Sequence, residues 1–444
     1  MAVDLDEHME SPEVSSKPLI GLSLRCNFSW TLAGNLLAAV CQWGIMVMLA
    51  KLGSPEKVGR FALGLAVTAP VMMFANLHLR AVLATDANKS HPFGNYLALR
   101  SITSVLGILV ITTIAFTSRY SRETTLVILA IGMMKAFEAF SDIYFGLLQQ
   151  HERMDRIAKS GVINGVLSFT ALATTFYFTR SILWAVVSLM AVSGLVLISY
   201  DARSTRMVTR MIEASSLDEF REQLRPRWQF GPLRNLAGIS LPLGIVMLFV
   251  SLNTNIPRYF VERYLGEAEL GIFAAITYLM AAGSLVISAL AQSAVPRLAK
   301  HYAAGDVTAF RSLLLKLVAF GALVGGLGVI VVAVAGRWIL NLFYGPEYAA
   351  HYSIFLWISV SSALFFIQWF LGNGMTAARY FKIQPFLLAL VTLVVVLASL
   401  WLIPAYGLKG AAFVPLIGNA VLLIGVTCVD IHAIAQLKKT QNSR

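Results

Sequence analysis

Leu52-Gly53-Ser54-Pro55-Glu56-Lys57-Val58-Gly59-Arg60-Phe61-Ala62 returns in outline as Leu265-Gly266-Glu267-Ala268-Glu269-Leu270-Gly271-Ile272-Phe273-Ala274, one residue shorter. Both stretches read Leu-Gly, then Glu, then Gly-x-Phe-Ala, and each follows an apolar segment long enough to cross a bilayer. The two occupy the same slot six apolar segments apart. Six is even, so both copies enter the membrane the same way round. A duplication of this kind predicts two lobes related by an axis along the membrane normal.

Working outward from these loops, the apolar segments fall at 28–50, 61–84, 98–118, 124–148, 157–178, 181–200, 235–257, 270–295, 311–335, 353–371, 383–403 and 410–431. A helix rising about 1.5 Å per residue needs some 20 apolar residues to cross a hydrocarbon core of roughly 30 Å, and segment after segment meets that length. Composition agrees: 57% of residues are hydrophobic and 13% charged, against about 25% charged in an ordinary soluble domain. The expected fold is an all-α polytopic membrane protein with about twelve transmembrane helices in two six-helix lobes. The chain divides into an N-terminal tail (1–27), an N-lobe (28–201), a basic linker (202–234), a C-lobe (235–432) and a basic tail (433–444). The linker is too short for a separate catalytic domain.

With the N-terminus placed in the cytoplasm, 23 Lys and Arg fall in inner segments and 10 in outer ones, two of the 35 lying within spans. That excess follows the positive-inside rule and predicts both termini on the cytoplasmic side of the membrane. The acidic first 20 residues lack the basic and apolar regions of a cleaved signal, so the first span is expected to stay as an anchor. The net charge of +12 is spread over loops that face anionic lipid, which excludes the nucleic-acid reading it would suggest in a soluble chain. In the linker, Arg203, Arg206, Arg210, Arg221, Arg225 and Arg227 stand among Leu, Met and Phe. An amphipathic segment on the inner leaflet and a solvated connection both fit them. Cys26, Cys41 and Cys428 are isolated and the seven His scattered. They provide no disulfide framework and no metal-ligand spacing, and neither a cofactor nor a metal is expected.

Polar residues inside the spans are the candidates for function. Lys135, Glu138 and Asp142 sit three and four residues apart on one helical face, and each costs roughly 2.5–3.5 kcal/mol at a span centre unless it faces protein or water. A structural ion-pair cluster and a coupling site that takes a proton or cation both fit this face. Span seven ends Asn253-Thr254-Asn255-Ile256-Pro257-Arg258 after an earlier Pro242, which predicts a bent helix beside a cavity. Asn253 and Asn255 suit sugar hydroxyls and Arg258 suits a phosphate; inter-helix bonding and an interfacial Arg are the plainer alternative. In the first lobe, Asn35 and Gln42 share a face, as do Asn76 and Arg80, and Arg25 stands at the entrance of span one. Snorkelling to headgroups would also account for Arg25 and Arg80. Trp30, Trp43 and Trp369 fit interfacial belts.

Several stretches carry a likeness to a known family: Phe137-Glu138-Ala139-Phe140-Ser141-Asp142-Ile143-Tyr144 running on to Gln149-Gln150, Asn253 to Phe260, Gln292-Ser293-Ala294-Val295-Pro296-Arg297-Leu298 with Gly305-Asp306, Tyr344-Gly345-Pro346-Glu347-Tyr348, and Tyr406-Gly407-Leu408-Lys409-Gly410-Ala411-Ala412. In their order and placement at span ends they resemble the oligosaccharide flippases, the O-antigen and polysaccharide repeat-unit exporters within the multidrug, oligosaccharidyl-lipid and polysaccharide exporter superfamily. The resemblance implies a bacterial inner-membrane protein that moves a polyprenyl-diphosphate-linked sugar unit between leaflets without covalent chemistry. It also implies a coupling proton or sodium ion, contacts with membrane lipids, and polymerase and chain-length proteins as neighbours. Such families line the cavity with spans one, two, seven and eight, which here means Arg25, Asn35, Gln42, Asn76, Arg80, Asn253, Asn255, Arg258 and Gln292. Related peptidoglycan-precursor flippases have two more C-terminal helices, which argues against that cargo here. A multidrug or cation antiporter of the same superfamily is the alternative.

Two other classes fit less well. A membrane glycosyltransferase or polymerase needs paired acids or a metal site near the surface, and the one Asp-x-Asp is Asp4-Leu5-Asp6 in the acidic tail. A passive scaffold gives no reason to keep Lys135, Glu138 and Asp142 in hydrocarbon.

Overall fold

The computed structural model describes residues 24–86, 90–213 and 225–442, and among these the secondary structure is helical, with no strand. In chain order the helices are α1 (Leu24–Leu52), α2 (Pro55–Ala75), α3 (Leu79–Thr85), α4 (Phe93–Thr117), α5 (Arg122–Gln150), α6 (Met154–Thr179), α7 (Ile182–Val196) and α8 (Ala202–Glu213), the last two joined by a π-turn at Leu197–Asp201. There follow α9 (Phe230–Leu265), α10 (Glu267–Leu279), α11 (Ala281–Ala303), α12 (Val307–Phe343), the short α13 (Pro346–Ala349), α14 (Tyr352–Ala377) and α15 (Gln384–Asn442).

Among the described residues, nine helical runs are long and apolar enough to span a membrane by length and composition, and α10 with α11, bent by 45°, makes a tenth. An eleventh is α5, which has the length and carries the charges of Lys135, Glu138 and Asp142. The twelfth comes from α15, which is broken at Gly407 (φ 59°, ψ −137°). Its two arms lie antiparallel: a Cβ on Gly410 would meet the Leu402 carbonyl oxygen, one on Gly418 the Val395 side chain, and one on Gly425 the Leu387 side chain. The twelve spans expected from hydropathy are thus accounted for.

The neighbours repeat six crossings on. In the N-lobe α1 packs on α6, α6 on α7, α4 on α5 and α5 on α7. The C-lobe repeats each pairing. α9 packs on the first arm of α15, where the Thr392 hydroxyl donates to Asn253 Oδ1 at 2.7 Å. The two arms of α15 pack together, α12 on α14, and α14 on the second arm, where Asn419 Nδ2 donates to the Ser361 carbonyl at 3.1 Å. First with fifth, fifth with sixth, third with fourth and fourth with sixth: this is the pattern a duplicated six-helix unit gives.

The quoted loops form the main junction between the lobes. A Cβ on Gly59 would come 1.7 Å from the Glu267 carbonyl oxygen, and one on Gly271 1.9 Å from the Pro55 carbonyl oxygen. In each case the partner is the residue four places before the opposite glycine. Around this crossing lies the largest apolar core, with Met46, Leu49, Phe61, Leu63, Leu270, Phe273 and Ile276. Arg60 pairs with Glu56, Glu123 and Glu267, and Thr124 donates to Glu267 at 2.6 Å.

Span seven runs as one uninterrupted helix, α9, through Pro242 and Pro257. A proline removes a single amide donor, and a helix held along its length by neighbours tolerates that loss. The interrupted helix is the next crossing, bent between α10 and α11.

Candidate functional site

Away from the Gly59–Gly271 junction, α1 and α11 carry exposed polar side chains. Asn35, Gln42 and Leu49 follow each other at steps of seven on one stripe of α1. Leu49 is fully buried in the junction core, whereas Asn35 and Gln42 are exposed. On α11, Val286, Gln292 and Ser293 are exposed, while Ile287, Ala291, Ala294 and Leu298 pack into the C-lobe. On the α9 flank the lobes pack together: Gly244 of α9 packs on Leu77 and Phe74, and Leu236 joins Leu79, Leu83, Tyr96 and Leu97. The lobes are thus held together at the junction and along the α9 flank, while α1 and α11 present exposed polar side chains.

Nearer the junction, α5 and α9 each carry a cation within the electrostatic reach of Tyr278. Lys135 Nζ donates to Glu138 at 2.7 Å and keeps 27% of its side-chain surface open although protein surrounds it closely. Arg258 donates through Nη1 to Asn255 Oδ1 at 3.1 Å, while its Nε meets no hydrogen-bond partner among the described residues. Tyr278, at the α10–α11 bend, stands near enough to act electrostatically on both cations. Asn255 is buried and also donates to the Ser251 carbonyl at 2.9 Å.

Two turns further along α5, about 10 Å beyond Lys135, Asp142 makes a second centre. Arg80 Nη1 donates to one of its oxygens at 3.3 Å, and Arg100 Nη2 to the other at 3.5 Å. Arg80 Nε also donates to Gln149 at 3.1 Å, and Arg100 Nη1 to Asn76. Arg100 is completely buried, the largest side chain so enclosed among the described residues.

Lys135, Glu138 and Asp142 therefore share a face and do not form one cluster: the first two pair, and Asp142 belongs with Arg80 and Arg100. Arg80 points to that carboxylate and does not snorkel to the surface. Asn76 joins the second centre and Asn255 with Arg258 the first. Asn253 is tied to Thr392, and Gln292 stands exposed on α11 away from both. Arg25 lies in the first turn of α1, and its side chain is outside the described residues. In the linker, α8 packs Val208, Ser204 and Thr205 inward, and the Arg227 amide donates to the Gly94 carbonyl at 3.0 Å, so this segment is anchored to the N-lobe. Arg210 and Arg221 side chains are outside the described residues.

Reading the sequence missed Arg100 and Tyr278. Arg100 sits three residues into its span, where an arginine reads as interfacial; the only hint was the lone carboxylate of Asp142. Tyr278 carries no sequence signal, since its place depends on the bend.

A series of membrane-length apolar helices with ion-paired centres among them defines a multi-pass membrane protein. Residues 24–301 match the family model described as polysaccharide biosynthesis protein, and the chain belongs to that family. The capsular polysaccharide biosynthesis protein CapF of Staphylococcus aureus is 26% identical over 400 residues, covering 90% of this chain and 97% of that protein. Among solved structures, an inward-facing multidrug resistance MATE family transporter of the MOP superfamily superposes with a TM-score of 0.66 at 15% identity, covering 95% of this chain and 97% of the other. A MOP superfamily transporter from Pyrococcus furiosus, described as having a binding pocket of reversed polarity, gives 0.62 at 15% identity over 93% and 95%. These likenesses establish a shared fold.

Proposed function

We propose that this protein is a flippase that carries polyprenyl-diphosphate-linked oligosaccharide units across the bacterial cytoplasmic membrane by alternating access, for capsule, O-antigen or exopolysaccharide assembly. The carrying observation is the charge balance of the two centres. Lys135 pairs with Glu138, Arg258 has no carboxylate partner among the described residues, and Arg80 and Arg100 share the single carboxylate of Asp142. The excess favours an anionic headgroup, and Arg258 has an uncommitted N–H to offer it. Amides at Asn35, Gln42, Asn76 and Gln149 suit sugar hydroxyls. A sugar-diphosphate head cannot cross hydrocarbon unaided, whereas the prenyl tail can stay in lipid. A cationic drug would meet like charge at both depths, which weighs against the antiporter alternative.

With both termini cytoplasmic, as the distribution of Lys and Arg supports, the Gly59–Gly271 junction lies at the outer side and cargo loads from the inner one. Polymerase and chain-length proteins are the partners that would use the product. The test is leaflet-resolved transfer of a fluorescent lipid-linked oligosaccharide by purified protein in vesicles. Transfer that is lost in Arg258→Gln and kept with the unsubstituted chain supports the reading. Absence of transfer with a folded protein and several cargos overturns it.

A further inference from the structure

We infer that Asp430, on the second arm of α15, is a proton-binding site that is occupied in the state described here and empties when the C-lobe repacks. The inference rests on the transport reading only for its use; the site itself stands on geometry. Asp430 is 2% exposed, and neither carboxyl oxygen has a hydrogen-bond partner among the described residues. Its surroundings are apolar: Met375, Val426 and Val429 cluster there with Leu371, Tyr380, Leu387 and Leu422 beside them, and Gly374 of α14 lies directly against the carboxyl. An ionised carboxylate so placed would be uncompensated, and such groups take up a proton instead.

Its counterpart in the N-lobe shows what a structural aspartate at this place looks like. Asp201 ends the π-turn between the sixth crossing and α8, and is also buried. It accepts a hydrogen bond from Ser160 of α6 at 2.5 Å, with Ser141 of α5 nearby, while its Oδ2 has no hydrogen-bond partner among the described residues. In the C-lobe, α14 takes the part of α5, and the residue against the carboxyl is a glycine in place of a serine. Asp430 thus lacks even the hydroxyl donor that Asp201 has. A bare cation is a poorer occupant than a proton, because it needs several oxygens, and no hydrogen-bonding group among the described residues reaches the Asp430 carboxyl.

No charged group answers Asp430 from the packed elements. Arg379 and Tyr380 follow α14, Arg311 and Lys316 lie on α12, Arg234 on α9, Tyr278 on α10, and His432 and Lys438 on its own helix; none of them bears on its carboxyl. Tyr380 packs over the cluster and sets its ring edge-on to His432 at 6.0 Å. Losing the proton requires water at the carboxyl, hence parting of α14 from α15. Protonation and C-lobe packing are therefore linked, so a proton gradient can bias the cycle.

The experiment is infrared spectroscopy of the full chain in vesicles across pH, with spin labels on α1 and α11 read in parallel. The protonated carboxylic acid band should be present near neutral pH, disappear in Asp430→Asn and persist in Asp201→Asn. Gly374→Ser, which puts a hydroxyl beside the carboxyl as in the N-lobe, should reduce the band at the same pH. The label distance should depend on pH in the unsubstituted chain and not in Asp430→Asn. A band unaffected by Asp430→Asn, or a label distance that keeps its pH dependence in that variant, overturns the inference, as does a band that sodium abolishes. None of these readouts uses cargo, so failure of a lipid-linked sugar to cross would count against the flippase alone and leave the proton site at Asp430 standing.

Discussion

Gly59 and Gly271 meet at the junction of the lobes as reciprocal partners: each occupies the gap against the carbonyl four residues before the other. That reciprocity puts the pseudo-two-fold axis between them. It also makes the junction hard to substitute, because a side chain on either glycine collides with fixed backbone and not with a movable side chain. The one strong asymmetry is Arg60, whose counterpart is Ile272; a single guanidinium serves three carboxylates drawn from both lobes.

Gly59→Ala should therefore favour states in which this junction has parted. The methyl would lie 1.7 Å from the Glu267 oxygen, and overpacking of this kind typically costs about 1–3 kcal/mol, a shift in population of roughly five- to a hundredfold. Labelling of a cysteine introduced at Phe61 by a membrane-impermeant reagent should rise accordingly. Equal labelling in the presence and absence of Gly59→Ala would place the moving junction elsewhere.

Arg60→Ala leaves Glu56, Glu123 and Glu267 facing one another without their shared cation. Removing one partner of an ion-pair network strands the rest, by up to about 3–5 kcal/mol when buried, and less here because Glu56 and Glu123 reach solvent. The melting temperature of the closed form should fall, and Glu267→Gln added to Arg60→Ala should restore part of the loss. An additive double variant would mean that the network contributes nothing to closure.

How far the sequence reached is visible in particular residues. Hydropathy placed the crossings because every backbone polar group in lipid must be bonded within its own helix, a constraint that local sequence reports. The likeness of 52–62 to 265–274 located the repeat, and those segments prove to touch. Side-chain partnerships were another matter. The spacing of Lys135, Glu138 and Asp142 gave their common face correctly, but Asp142 goes to Arg80 and Arg100 on other helices, 62 and 42 residues away in sequence. The prolines of α9 leave that helix uninterrupted, and the bend at the α10–α11 joint bears no proline.

The two centres should separate cargo binding from stability. Arg258→Gln and Lys135→Gln remove charge from groups that keep open surface or an uncommitted donor, so transfer of an anionic lipid-linked sugar should drop about tenfold or more, at one charge-assisted hydrogen bond each, with melting little changed. Arg100→Met should instead unfold the N-lobe more readily, because Arg100 is fully enclosed and Asn76 and Asp142 would lose its donors. Thermal shift and transfer measured on the same preparations distinguish the two behaviours.

Asp86 provides a pH test outside the spans. Partial burial works to raise the affinity of its carboxyl for protons, but the amides of Ser90 and His91, at 3.0 and 3.3 Å, and the Tyr96 hydroxyl at 3.2 Å outweigh it and hold the group below the usual carboxylate range. A group with a lowered native value stabilises the fold above the ordinary range, and that contribution is lost as the pH falls through the lowered value, here below about 4. The segment joining α3 to α4, to which Gln150 also donates at the Asp86 carbonyl (2.8 Å), should therefore keep its amide protection from neutral pH down to that region and exchange faster only beneath it. In Asp86→Asn the Ser90 and His91 amides should exchange faster at every pH above that region, since an amide accepts more weakly than a carboxylate from the two backbone donors. Protection that is unchanged in Asp86→Asn would show that the Gln150 bond alone fixes the turn.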